Sequence, residues 1–80
     1  MSREDAVNTL VARTLGISAD VITDDLAFSD VVEWDSLNHV NLMIALEQML
    51  ETEVNEDLMV QLTSVRAIRE FVAQHRPATP

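Results

Sequence analysis

The stretch Glu33-Trp34-Asp35-Ser36-Leu37-Asn38-His39-Val40-Asn41-Leu42-Met43-Ile44-Ala45-Leu46-Glu47-Gln48-Met49-Leu50-Glu51 decides the fold. Asp35 is a good N-cap, so a helix is predicted over 36–51. On a wheel of about 100° per residue, Leu42, Ala45, Leu46, Met49 and Leu50 gather on one side, the core face. Leu37, Val40 and Ile44 gather on nearly the opposite side. Both groups cannot meet the same core. Either the helix is buried all round, which 80 residues can hardly arrange, or an apolar strip is left in the open. Exposed apolar patches mark binding sites. Ser36 stands at the N-terminal end of that second strip, with Glu47 and Glu51 on the same side.

Working outward, a first helix is predicted over 2–15, with Val7, Leu10, Val11 and Leu15 on its buried face. Ser2 can cap it, Glu4, Asp5 and Arg13 suit its dipole, and Gly16 stops it. Residues 17–35 hold no helical period. They read as a long loop with one short turn near 18–22, pinned to the core by its apolar residues. Past the central helix, Asn55 can cap a short helix over 56–61, and Thr63 or Ser64 starts a last helix running to about residue 75. Val65, Ile68, Phe71 and Val72 form its stripe, and Arg66 and Glu70 make an i, i+4 pair on its wet face. The fold expected is all-α: a small antiparallel four-helix bundle with a long first loop and a short third helix, over 1–76, followed by a flexible tail at 77–80.

Composition narrows the function. The chain has no cysteine, so neither disulfides nor a cysteine-containing zinc site brace it. One glycine and two prolines, the latter at 77 and 80, argue against an all-β fold. No apolar run approaches the ~18 residues of a membrane span, and the first residues are not those of a signal peptide, so a cytoplasmic protein is expected. Fourteen acids against five bases, a net charge of −9, disfavour nucleic acid and favour basic protein partners.

Ser36 sits where a helix start favours an attached phosphate, a preference of about 0.3–1 kcal/mol. That makes a modified serine comfortable without selecting it. Judged from Asp35-Ser36-Leu37 alone, plain helix capping accounts for Ser36.

The run from Glu33 to Glu47 nevertheless resembles the 4′-phosphopantetheine attachment region of acyl carrier proteins. The similarity extends over nearly the whole chain. It takes in Leu15-Gly16-Ile17, Ile22-Thr23-Asp24-Asp25, Phe28, Val54 and Leu62-Thr63-Ser64-Val65-Arg66-Ala67-Ile68. The resemblance implies that Ser36, between Asp35 and Leu37, carries the arm as a phosphodiester added from coenzyme A by a phosphopantetheinyl transferase. It implies that the arm's thiol holds an acyl group as a thioester and that the chain itself is not an enzyme. Leu37, Val40, Ile44, Glu47 and Glu51 would form the docking face for acyl-loading and acyl-processing enzymes with basic patches; Trp34 reads as a loop residue packed over the core edge, and as a further member of the docking face because it borders Ser36. Phe28, Leu46, Val54 and Leu62 match positions that line an acyl pocket in the family, and ordinary core packing is the simpler reading of each. A monomer is expected.

The sequence also departs from the family's pattern. Asn38 and Asn41 stand where fatty-acid-synthesis carriers usually have acids, Leu58-Met59-Val60 makes the third helix apolar, and Trp34 replaces a small residue. A free-standing carrier of a polyketide or hybrid specialised-metabolite pathway fits these departures better. Trp34-Asp35-Ser36-Leu37 with His39 also resembles carriers of short glyceryl-derived units. The alternatives are a peptidyl or aminoacyl carrier, though no Gly-Gly-rich approach precedes Ser36, and an unmodified helical adaptor in which Ser36 is only a cap.

Ser36, His39 and Asp35 contain the side chains of a hydrolase triad, but the wheel turns His39 toward the core, away from Ser36, where it reads as a partly buried, hydrogen-bonded residue. Asp24, Asp25 and Asp30, and Glu51, Glu53, Glu56 and Asp57, do not match an EF-hand loop and read as solvated acids, so no metal is expected. Met43, Met49 and Met59 read as gap-filling core.

Overall fold

The computed structural model describes residues 3–75, with side chains from Ala6 onward. Four helices follow in order: α1 Arg3–Leu15, α2 Ser36–Leu50, α3 Glu56–Gln61 and α4 Val65–His75. The connection from α1 to α2 holds a single 3₁₀ turn, Ala19–Val21. The all-helical bundle with a long first loop and a short third helix is therefore the architecture, and the helix bounds fall within a residue or two of those predicted. The Ser2 cap and the tail at 77–80 lie outside the described residues, as do the side chains of Glu4 and Asp5.

The ends of the helices follow from local chemistry. Gly16 stops α1 with φ +71, the left-handed region that a residue without Cβ reaches at no steric cost, and its N–H donates to the Ala12 carbonyl at 2.8 Å. Asp35 caps α2, Asn55 caps α3, and the Ser64 hydroxyl accepts from the Ala67 N–H at the start of α4. α2 ends one residue earlier than its apolar pattern suggested, because Glu51 turns left-handed at φ 52.

Val7, Val11 and Leu15 of α1 meet Leu42, Leu46 and Leu50 of α2 and the stripe Val65, Ile68, Phe71 and Val72 of α4 in one core. Met43 is buried, whereas Met49 and Met59 pack at its margin. Leu46, Val54 and Leu62, candidates for an acyl pocket, are all buried in this core.

The long loop is laid down rather than loose. Ile22 and Leu26 are buried, and an isolated bridge joins Ala27 to Ser64, with the Phe28 N–H donating to the Thr63 carbonyl at 2.8 Å and the Val65 N–H to the Leu26 carbonyl at 2.9 Å. Two arginines of α4 hold the same loop. Arg66 pairs with Asp25 at 3.1 Å, and Arg69 pairs with Asp24 at 2.6 Å while also donating to Asn8 of α1. One of these findings corrects the sequence reading: Arg66 goes to Asp25 rather than Glu70. Asp24 and Asp25 are solvated as expected and in addition pair with arginines, because the fold brings α4 across residues forty positions away that no local pattern records.

Candidate functional site at the start of α2

Asp35 takes an extended backbone (φ −104, ψ −176), which turns its carboxylate back over the first turn of α2, where it accepts from the Asn38 N–H at 2.9 Å. Asn38 in turn donates through Nδ2 to the Glu33 carbonyl at 2.7 Å, fixing the approach of the chain to the helix. Ser36 is thus the first helical residue and not the cap. It is exposed, and among the described residues its hydroxyl makes no hydrogen bond. The reading of Ser36 as a plain cap loses its basis, because Asp35 performs that task. The hydroxyl stands at the N-terminal end of a 15-residue helix, where free N–H groups and the helix dipole favour a phosphate ester.

The second apolar strip is in the open. Leu37 is 71 % exposed, Ile44 46 % and Val40 40 %. Glu51 is exposed at the far end, whereas Glu47 is half-buried and accepts from the Val54 N–H at 2.8 Å, so part of its carboxylate serves the loop after α2. The strip continues onto α3, where Val60 is 72 % exposed, a member the wheel missed because six residues are too few to define a face.

Trp34 requires a correction. Of its two readings, membership of the docking face is overturned and packing against the core holds, for Trp34 is fully buried. Its indole Nε1–H donates to His39 Nδ1 at 3.0 Å, and His39 Nε2 lies 2.7 Å from the Met59 carbonyl. Phe28 meets the imidazole edge to face, with centroids 5.6 Å apart. The indole therefore belongs to the platform beneath the site, and a loop residue of that size is buried because its one polar atom finds a partner. His39 is buried and hydrogen-bonded as expected. With both ring nitrogens engaged by Trp34 and Met59, and Asp35 engaged by Asn38, no triad with Ser36 exists.

Beside Ser36 lies an open cleft of about 320 Å³, lined by Phe28, Ser36, His39, Val40, Met59, Val60 and Thr63. Of the four residues matched to an acyl pocket, Phe28 alone lines it; Leu46, Val54 and Leu62 are core, the simpler of the two readings given for them. A larger groove of about 530 Å³ between α1 and α2 takes Ala45 and Met49 from α2 and none of the residues around Ser36. An exposed, uncommitted hydroxyl at a helix N-terminus, next to an apolar cleft, suits a phosphodiester whose far end is apolar.

No described helix is long and apolar enough to cross a membrane. The chain matches the family model for the phosphopantetheine attachment site over residues 5–72, which spans α2 and the whole arrangement just described. That role entails contact with a phosphopantetheinyl transferase and with acyl-processing enzymes in general. On this match the chain belongs to the phosphopantetheine-attachment family, whose members bear a covalently bound 4′-phosphopantetheine and serve as carriers.

Proposed function

We propose that Ser36 is the attachment residue of this chain and that the protein is an acyl carrier of a polyketide or hybrid specialised-metabolite pathway. The observation that carries the first part is the division of labour at the start of α2. Asp35 caps the helix, and the neighbouring Ser36 hydroxyl is left exposed and uncommitted. When attached, the arm supplies a terminal thiol that holds an acyl group as a thioester. The chain's own residues position it. The positive end of the α2 dipole would favour the charge of an attached phosphate, although the Asn38 N–H is already given to Asp35, and Leu37, Val40 and Ile44 offer apolar contact to an enzyme that must reach the tether. Tethering keeps the acyl group at high effective concentration at whichever enzyme docks.

The pathway assignment is supported by the surface around Ser36. Asn38 and Asn41 present amides where an acidic edge would otherwise stand, and Asn38 is occupied with the Glu33 carbonyl. α3 adds the exposed Val60. A partner reading this face meets apolar side chains along α2, with the exposed Glu33 and Asp35 at its N-terminal end and Glu51, Glu56 and Asp57 further out.

Incubation with coenzyme A and a broad-specificity phosphopantetheinyl transferase, followed by intact mass, tests the attachment. Wild type is expected to gain one arm and Ser36→Ala none. No gain on wild type, or an undiminished gain on Ser36→Ala, refutes it. The mass of the species bound to protein isolated from its producer tests the pathway. A simple saturated fatty acyl chain there refutes that part.

A further inference from the structure

The most exposed large apolar side chain among the described residues is not on a helix. Val32 is 90 % exposed, against 71 % for Leu37. A lone exposed valine is ordinary on a protein surface, but this one stands on a segment that is built rather than loose. The Ser29 N–H donates to the Trp34 carbonyl at 3.0 Å, the Trp34 N–H to the Val31 carbonyl at 3.1 Å and the Asp30 N–H to the Ala27 carbonyl at 2.9 Å. The Asp30 carboxylate accepts from the Ala27 N–H at 2.9 Å. Ser29 is held left-handed at φ 67 without being a glycine, a conformation that persists only where the surroundings over-determine it. Val31 packs against the core and Trp34 is buried, so the backbone is anchored on both sides of Val32.

The segment is also fastened to the start of α2. Glu33, next to Val32, gives its carbonyl to Asn38 Nδ2 at 2.7 Å. Four residues of chain extend at most about 14 Å, so Val32 stands within that distance of Ser36. Exposed carboxylates flank it in the chain at Asp30, Glu33 and Asp35. An acyl-processing enzyme is met by the thiol at the far end of the arm and can stay clear of Ser36. The enzyme that installs the arm cannot. The Ser36 oxygen must bond to the phosphorus nearer pantetheine in coenzyme A, the pyrophosphate linkage breaks, adenosine bisphosphate leaves, and the hydroxyl proton passes to a base of the transferase. The transferase surface therefore has to close around Ser36 and over what lies beside it.

We propose that Val32 is a preformed contact for the phosphopantetheinyl transferase: an apolar knob, flanked by carboxylates, that enters an apolar socket with a basic rim on that enzyme. The proposal rests on Ser36 as the attachment residue. Two features suit Val32 to the task. Its Cβ branch leaves the side chain stiff, and its backbone is already held, so little freedom is lost when a socket closes on it. The flanking acids match the charge that a basic rim would carry. Val32 thus adds a contact before Ser36 to the α2 strip that follows it. Because the contact follows from reach to the hydroxyl, it applies to any transferase that modifies this chain.

The test is arm transfer from coenzyme A to the full chain by a broad-specificity phosphopantetheinyl transferase, followed by intact mass over a range of chain concentrations. Val32→Thr keeps the branched shape and replaces one methyl by a hydroxyl. It is expected to lower kcat/KM about fivefold or more, through KM, with kcat at saturation and Tm unchanged. Val21→Thr, at a half-exposed valine earlier in the same connection, is expected to stay within about twofold of wild type. Glu33→Gln is expected to lower kcat/KM about twofold at low salt and to flatten its fall with added salt. A wild-type rate for Val32→Thr, an equal loss for Val21→Thr, or an unaltered salt dependence for Glu33→Gln overturns the proposal. So does a fall in Tm of more than about 4 °C for Val32→Thr, which makes Val32 structural. A wild-type chain that sediments as a dimer and is dispersed by Val32→Thr also overturns it, because the knob then belongs to a second copy. Where wild type takes no arm, or Ser36→Ala takes one undiminished, the attachment reading fails and the proposal with it. Where Ser36→Ala stays unloaded and Val32→Thr is modified like wild type, the knob alone is refuted.

Discussion

Leu37→Ala separates docking from folding. Full burial of a leucine side chain is worth about 1.5–3 kcal/mol. Leu37 is 71 % exposed, so under a third of that contribution, less than about 1 kcal/mol, is realised within the free chain. The remainder, about 1–2 kcal/mol, becomes available when a partner covers the strip. At about 1.4 kcal/mol per tenfold, this corresponds to a loss of about 5- to 30-fold in kcat/KM for arm transfer onto the variant. The control is Leu46→Ala one side of the helix away. Leu46 is fully buried, and emptying its site is expected to cost about 2–5 kcal/mol of folding stability. Urea unfolding of both variants and transferase kinetics on the unmodified chains read the two effects separately. A Leu37→Ala variant that unfolds as easily as Leu46→Ala, or that is modified at the wild-type rate, would falsify the assignment of this strip to partners.

Three further outcomes test the frame around the site. Asp35→Ala removes the cap of α2 and is expected to cost about 1 kcal/mol, a fall of about 4–8 °C in Tm for a domain of this size, which calorimetry reads directly; an unchanged Tm means the cap is not held by this carboxylate. Gly16→Ala places a Cβ where nothing lies within 4 Å, so only the left-handed backbone at φ +71 opposes it, at about 1–2 kcal/mol in denaturant unfolding, and a stabilised variant contradicts that account. Arg69→Lys exchanges a forked guanidinium that reaches both Asp24 and Asn8 for a point charge, and faster amide exchange is expected at Ile22 and Leu26 in the loop, with exchange in the middle of α2 unaffected.

What was legible in the sequence was whatever depends on residues a few positions apart. The caps at Asp35 and Asn55, the stop at Gly16 and the two-sided pattern of α2 are all local, and the exposed Leu37, Val40 and Ile44 were found by asking which apolar residues the core could not accept. The rest depends on contacts across the chain. Trp34 lies in a segment without periodicity, so its neighbourhood does not name the groups that bury it; its partner His39 is five residues on, and the carbonyl that completes the pair belongs to Met59, twenty beyond. The arginine partners Asp24 and Asp25 are likewise over forty positions from Arg69 and Arg66. The location of the cleft could not be read for a related reason. Its lining is drawn from the loop, α2 and α3, and the positions carried over by resemblance pointed to side chains that the core had already claimed.

An exposed apolar strip favours self-association, and net charge opposes it. The chain carries a net charge of −9, and its fourteen acids face only five arginines. Two of those arginines, Arg66 and Arg69, are engaged with loop aspartates. Leu37, Val40, Ile44 and Val60 are thus exposed on a chain of strongly negative net charge, and on the proposed docking role that charge would oppose contact between two copies and favour a basic partner. On that reading long-range attraction would come from the whole chain and would not require an acid at Asn38 or Asn41. The rigid part of the site lies directly beneath. The Trp34–His39 pair fills the space under the first turn of α2, so the hydroxyl is held on a fixed base while the strip around it stays open for contact.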